Sequence, residues 1–154
     1  AMVRAFMEDE DARRIVCGGT SAAIVSRVLK RSLDISYDHE DPEIPPISFI
    51  DGIDLVTEGV LTLNRTLSLL KRYVKNETVS EEFFEELDRG NGGSMVAKML
   101  IEECTELHLD VGKAVNPAYQ NPELPFDLGV RQNLVEQIRG TMEEMGKKVI
   151  VTYF

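Results

Sequence analysis

The spacing of apolar positions changes several times along the chain, and each change marks an element. Arg14 to Cys17 is a short β-branched run that stops at Gly18-Gly19. After Thr20-Ser21 the apolar positions Ile24, Val25, Val28 and Leu29 recur at helical spacing, so the first unit reads as strand, glycine loop, helix. Ile47 to Val56 is rich in Ile, Phe and Val and suggests one or two short strands around Asp51-Gly52. The strongest signal follows: Val56, Val60, Leu63, Leu67, Leu70 and Val74 form the single apolar stripe of an amphipathic helix. Thr78 and Glu81 stand as a capping box for a short acidic helix ending near Leu87. Gly90 to Gly93 break that helix, and Ser94 is expected to cap the next, which carries Val96, Met99, Leu100 and Cys104 on one side. Glu106 to Val111 alternates as a half-buried strand with Leu107, Leu109 and Val111 facing one way. Leu134, Ile138, Met142 and Met145 mark a last helix, stopped by Gly146, and Val149 to Phe154 closes the chain as a strand.

Strands alternating with helices predict an α/β layered fold, with a mostly parallel sheet of roughly four to five strands flanked by helices. Two stretches lack periodicity and read as loops: acidic, proline-bearing Leu33 to Pro46, and Gly112 to Pro125 with its three prolines. Residues 1–13 are read as an N-terminal extension, Ala1 being left over from expression ahead of Met2, and residues 14–154 as a single α/β domain. The 154 residues are 43% apolar and 29% charged, ordinary globular usage that excludes a disordered chain, a collagen-like repeat and a disulfide-built miniprotein. No run reaches the roughly 20 apolar residues of a membrane span, and acidic Ala1 to Asp11 does not read as a secretory signal. Cys17 and Cys104 are expected to be buried small hydrophobes rather than ligands or a disulfide, which points to the cytoplasm.

Charge narrows the partners. With 27 acidic and 17 basic residues the net charge is -10, which disfavours nucleic acid and anionic membrane surfaces. Asp34 to Glu58 holds eight acids and no Lys or Arg, which reads either as a solvated loop or as oxygens for a divalent metal or cationic partner.

If the sheet is parallel, the loops leaving the C-terminal strand ends line one rim, and three of them are unusual. Gly18-Gly19-Thr20-Ser21 offers a bare backbone, two hydroxyls and a helix N-terminus, the ingredients of an anion site. The alternative is a tight turn with Thr20 or Ser21 as N-cap. Asp54 and Glu58 stand where a strand hands over to the long helix, as dipole partners or ligand carboxylates. Gly59 there suggests close backbone approach by a ligand or a neighbouring element. Asn116, Gln120 and Asn121 lie in a proline-held loop with paired donors and acceptors, and Asn-Pro is also an ordinary turn former. His108 is expected on the face opposite Leu107 and Leu109, more as a structural residue than a catalyst. No Ser-His-Asp set, zinc spacing or activated cysteine can be assembled, so no catalytic or metal-binding residue is assigned.

At the same three loops the chain resembles a known family region. Val16-Cys17-Gly18-Gly19-Thr20, then Gly52-Ile53-Asp54-Leu55-Val56-Thr57-Glu58-Gly59 with Thr62-Leu63, then Asn116-Pro117 through Gln120-Asn121-Pro122 carry the resemblance. The region is the C-terminal accessory part of bacterial serine/threonine protein phosphatases of the stage II sporulation protein E type. The likeness runs from about Arg14 to Phe154. The metal-dependent phosphatase domain of that family, with its spaced aspartates, has no counterpart here, since a two-metal hydrolase needs carboxylates from separate strands. The resemblance therefore implies a domain associated with a phosphatase and not itself catalytic, and it transfers no catalytic residue and names no cofactor.

The expectation is a ligand-sensing regulatory domain that binds a small anionic or phosphorylated ligand. Gly18, Gly19, Thr20 and Ser21 would hold the anion. Asn116, Gln120 and Asn121 would read the polar remainder, and Asp54 and Glu58 would orient a hydroxyl or a divalent ion. Two rivals are a small-molecule phosphotransferase or hydrolase using Asp54 or Glu58, and a homodimerisation module using the rim or the Met95/Met99 and Met142/Met145 surfaces.

Overall fold

The structure is a computed structural model that describes residues 2–35, 47–75, 81–112 and 128–154. Its strands fall into two small sheets rather than one. The first holds β1 (Ile15–Cys17), β2 (Asp34–Ile35), β3 (Ser48–Phe49) and β4 (Leu55–Thr57) in the order β1-β4-β3-β2. Only β1 and β4 are parallel, in the register Ile15–Leu55, Val16–Val56, Cys17–Thr57; β4–β3 and β3–β2 are antiparallel. The second is a parallel pair, β5 (Glu106–Val111) and β6 (Lys148–Tyr153), matched residue for residue.

The expected single, mostly parallel sheet is thus corrected to a mixed architecture, and connection length explains why. Parallel neighbours need a long crossover, which α2 (Gly19–Leu29) begins after β1 and which α6 (Leu128–Glu144) supplies between β5 and β6. Between β3 and β4 stand only Ile50 to Asp54, enough for a turn at Asp51-Gly52 and therefore for antiparallel pairing. Gly52 makes that turn at φ 87, with the Arg31 guanidinium on the Asp51 carbonyl at 2.7 Å.

Strands β1 and β4 of the first sheet are covered on both faces. Val16 and Val56 pack with Ala22, Val25, Ile50 and Val3, which lies on α1 (Met2–Met7). Val3, with Phe6 and Met7 beside it, thus packs into this cluster from within the stretch read as an extension. Ile15, Cys17 and Leu55 turn the other way, onto Leu67 and Leu70 of α3 (Val60–Lys75), Val96 of α5 (Gly92–Lys98), and Leu134, Ile138 and Met142 of α6. The fold is accordingly helices α1 and α2, a sheet, then helices α3, α5 and α6, with Leu107 and Val149 of the second sheet joining the larger core. A satellite cluster of Leu69, Ala97, Phe83 and Leu87 seats α4 (Glu81–Leu87) against α3 and α5.

Several expected elements shift. Val56 belongs to β4, and the helix that carries the apolar stripe starts at Val60. Its buried face also includes Thr62, Thr66 and Leu69, because α3 is covered from two sides. Val28, one of the apolar positions at helical spacing in α2, is 54% exposed. Asn91, not Ser94, caps α5: its side chain accepts from the Ser94 amide at 2.8 Å, and Gly92 and Gly93 lie inside the helix. Thr78 of the expected capping box falls outside the described residues. Beyond α5 the helix widens into a π turn, Met99–Glu103, whose end is held by Lys147: its ammonium donates to the carbonyls of Leu100 (2.6 Å), Ile101 (2.8 Å) and Cys104 (2.6 Å). Met142 is fully buried, so it offers no dimer surface, whereas Met95, Met99 and Met145 are half-buried. Gly146 follows α6 at φ 81, as expected.

Candidate functional site

Because β1 and β4 are parallel neighbours, their ends release two loops side by side. Gly18 leaves β1 with φ 115 and ψ 136, a conformation open to glycine, and its amide donates to the Thr57 carbonyl at the end of β4 (2.9 Å). Its own carbonyl accepts the first helical hydrogen bond of α2, from Ala22, so Gly18 is the N-cap and no side chain caps the helix. Thr20 and Ser21 stand in the first turn, and neither is the cap expected of them. From β4 the chain passes through Glu58 and Gly59 into α3, the Gly59 carbonyl accepting from Leu63 at 3.0 Å. A Cβ on Gly59 would stand 3.5 Å from the Gly18 Cα, and one on Gly19 would stand 3.9 Å from Glu58 Oε2. The glycine loop and the Glu58-Gly59 loop therefore meet, with the N-termini of α2 and α3 facing the same rim.

Asp54 does not join them. It precedes β4, at the opposite end of the strand from Glu58, and accepts from the Arg14 amide (2.7 Å) and from the Arg13 guanidinium (3.2 Å). An Asp54–Glu58 pair at one site is thus not formed. Arg13 also reaches Glu103 at 2.8 Å, so it ties together the residues that precede β1, β4 and β5. At the far end of β5, a Cβ on Gly112 would lie 3.7 Å from Met2, and the Gly112 carbonyl accepts from Arg131 (2.7 Å). Asn116, Gln120 and Asn121, expected from the sequence to lie in a loop, fall outside the described residues.

Residues that the sequence did not single out complete the rim. Thr57 is buried, its hydroxyl on the Glu58 carbonyl (2.9 Å) and its methyl close to where a Cβ on Gly92 would stand, at 3.0 Å. A Cβ on Gly93 would stand 2.6 Å from Arg65 Cγ, so the two glycines let the start of α5 press on β4 and α3. The signal was the Gly92-Gly93 pair itself, which reads as a helix break when it is a close packing contact. Thr62 and Ser94 are buried beside it with hydroxyls that have no hydrogen-bond partner among the described residues.

Nearby chemistry is muted. Burial pushes the Cys17 thiol up, against a smaller opposing effect of the Thr57 side chain, and burial likewise raises Cys104 against Lys147. Both are free thiols packed against the main core and kept protonated, hence poor nucleophiles. His108 is exposed, opposite Leu107 and Leu109, and pairs with Glu106 at 2.8 Å. Among the described residues no group of three or more His, Cys, Asp or Glu is placed to hold a metal ion, and no helix is long and apolar enough to cross a membrane. No family model, no curated protein and no solved structure matches the chain significantly.

Proposed function

We propose that this chain is a ligand-sensing regulatory domain serving a serine/threonine protein phosphatase, and that it binds a small anionic or phosphorylated ligand where β1 and β4 end. The observation that carries the reading is the approach of Gly18 to Gly59, which keeps side chains out from between two helix N-termini. The first turns of α2 and α3 hold amide hydrogens with no partner inside the helix, and both dipoles present their positive ends there. Gly18, Gly19, Thr20 and Ser21 hold the anion. Glu58, exposed beside Gly19, selects ligands that bring a hydroxyl or a divalent cation with the anion, because a bare anion would meet its charge. Asn116, Gln120 and Asn121 serve as readers of the polar remainder. The phosphatase association rests on the resemblance of the three loops to the stage II sporulation protein E type, and the cytoplasm is the compartment that goes with it.

Thermal unfolding against nucleotides, sugar phosphates and acyl phosphates, with and without magnesium, tests the proposal. A ligand at 100 times its Kd adds about 2.7 kcal/mol, a rise of about 5–10 °C for a domain of this size. The rise should vanish in Gly19→Val. No shift with any compound, or a shift that survives Gly19→Val, overturns the reading.

A further inference from the structure

At the other end of β4, between that strand and the α5–π helix, lies an open groove of about 320 Å³. Leu55, Met95 and Met99 give it an apolar floor, and Asp54, Glu102 and Glu103 stand at its mouth. Lys98 also lines it and is held outward by Asp88. A π turn shapes one wall, a departure from the α-helix that is frequent at functional sites. The chain already shows which group suits the mouth: the Arg13 guanidinium lies between Asp54 and Glu103, although its own side chain is 62% exposed. An ion pair so exposed adds little to stability and is readily exchanged.

We propose that this groove docks a short basic segment of a partner protein. An arginine of that segment takes the place of Arg13 between Asp54 and Glu103, and a flanking apolar side chain seats on Met95 and Met99. The match is one of charge and shape: thioether side chains accommodate varied apolar groups, while the carboxylates select a guanidinium. Charge also argues against a second copy as the occupant, since a chain of net charge -10 repels itself and attracts a cationic segment.

The test is a two-dimensional amide NMR titration of the whole chain with the acetylated tripeptide amide leucyl-arginyl-leucine, beside its glutamate-for-arginine counterpart. The arginine peptide should shift the amides of Met99, Glu102 and Glu103 and leave Gly18 and Gly59 unmoved, while the glutamate peptide shifts none of these. Arg13→Ala, which removes the internal competitor, should tighten binding by roughly two- to fivefold. Glu103→Gln should weaken it with Tm little changed. Equal response to both peptides, weaker binding by Arg13→Ala, or concentration-dependent shifts of the groove amides without peptide, which would assign the groove to a second copy, each overturns the proposal.

Discussion

Gly18 and Gly59 meet backbone to backbone, so closely that a Cβ on Gly59 would touch the Gly18 Cα at 3.5 Å. The two positions nevertheless tolerate a side chain differently. At Gly18, φ 115 makes any L-residue strained, and Gly18→Ala should cost about 1–3 kcal/mol. At Gly59 a methyl fits at ordinary contact distance, so Gly59→Ala should change stability by less than about 1 kcal/mol. If the rim holds an anion, that same methyl blocks it. Chemical denaturation of both variants, with the ligand screen repeated on Gly59→Ala, separates packing from binding.

Asn91 supplies the side-chain cap of α5, through its bond to the Ser94 amide, and it is 7% exposed. Asn91→Ala should destabilise the protein by about 1 kcal/mol, and Asn91→Asp or Asn91→Ser should retain most of that. Urea midpoints of the three variants provide the comparison. Ser94→Ala should be far milder, since its hydroxyl has no partner among the described residues.

Thr62 presents the converse case, a buried hydroxyl with no partner among the described residues. Thr62→Val keeps the shape and removes the unpaired group, and should stabilise by about 1 kcal/mol. A lower Tm in that variant would mean that the hydroxyl is bonded in solution.

Two carboxylates should respond to pH with opposite signs. Burial pushes Glu86 up, but the hydrogen bond and charge of Arg72, with Arg65 and Arg89, outweigh it and leave the carboxyl below its ordinary 4.5. Its contribution is present above that pH and is lost as pH falls through the folded value. Glu86→Gln should therefore lower Tm by about 2–4 °C at pH 7, with the gap closing in acid. Asp110 is raised above 3.8 by burial, which His108 only partly offsets, so the native state binds its proton more tightly than the unfolded chain. Its contribution is complete below 3.8 and is lost as pH rises through the folded value. Asp110→Asn should raise Tm at pH 7 and not at pH 3. Melting curves at pH 3, 5 and 7 decide both.

Elements with strong periodicity were legible in the sequence: the stripe from Leu63 to Val74, the alternation of Glu106 to Val111, and the stop at Gly146 all emerge in place. The sheet was harder to read, because β2 and β3 are two-residue strands and the antiparallel pairing of β3 with β4 depends on the short connection from Ile50 to Asp54. Gly18 and Glu58 were both noticed, and their adjacency follows from the β1–β4 register, a long-range pairing that spacing does not encode. Asp54 illustrates the limit: it stands only four positions before Glu58, yet the three-residue strand between them carries the chain from one end of the sheet to the other. Arg13 and Glu103 are ninety positions apart, and no local pattern announces their pairing.

Strands β1 and β4 are apolar on both sides, and this bears on how the chain finds its fold. A strand with one wet face is held in register by its own pattern, because a slip of one residue would expose its oily side. Here a slip would exchange Val16 for Cys17 and one greasy surface for another. The alignment is therefore keyed at the ends: the Gly18 amide on the Thr57 carbonyl at one, the Asp54 carboxylate on the Arg14 amide at the other. Those flanking contacts act as the notches of a ruler, and the loops that carry them are part of what lets the sheet form in a single alignment.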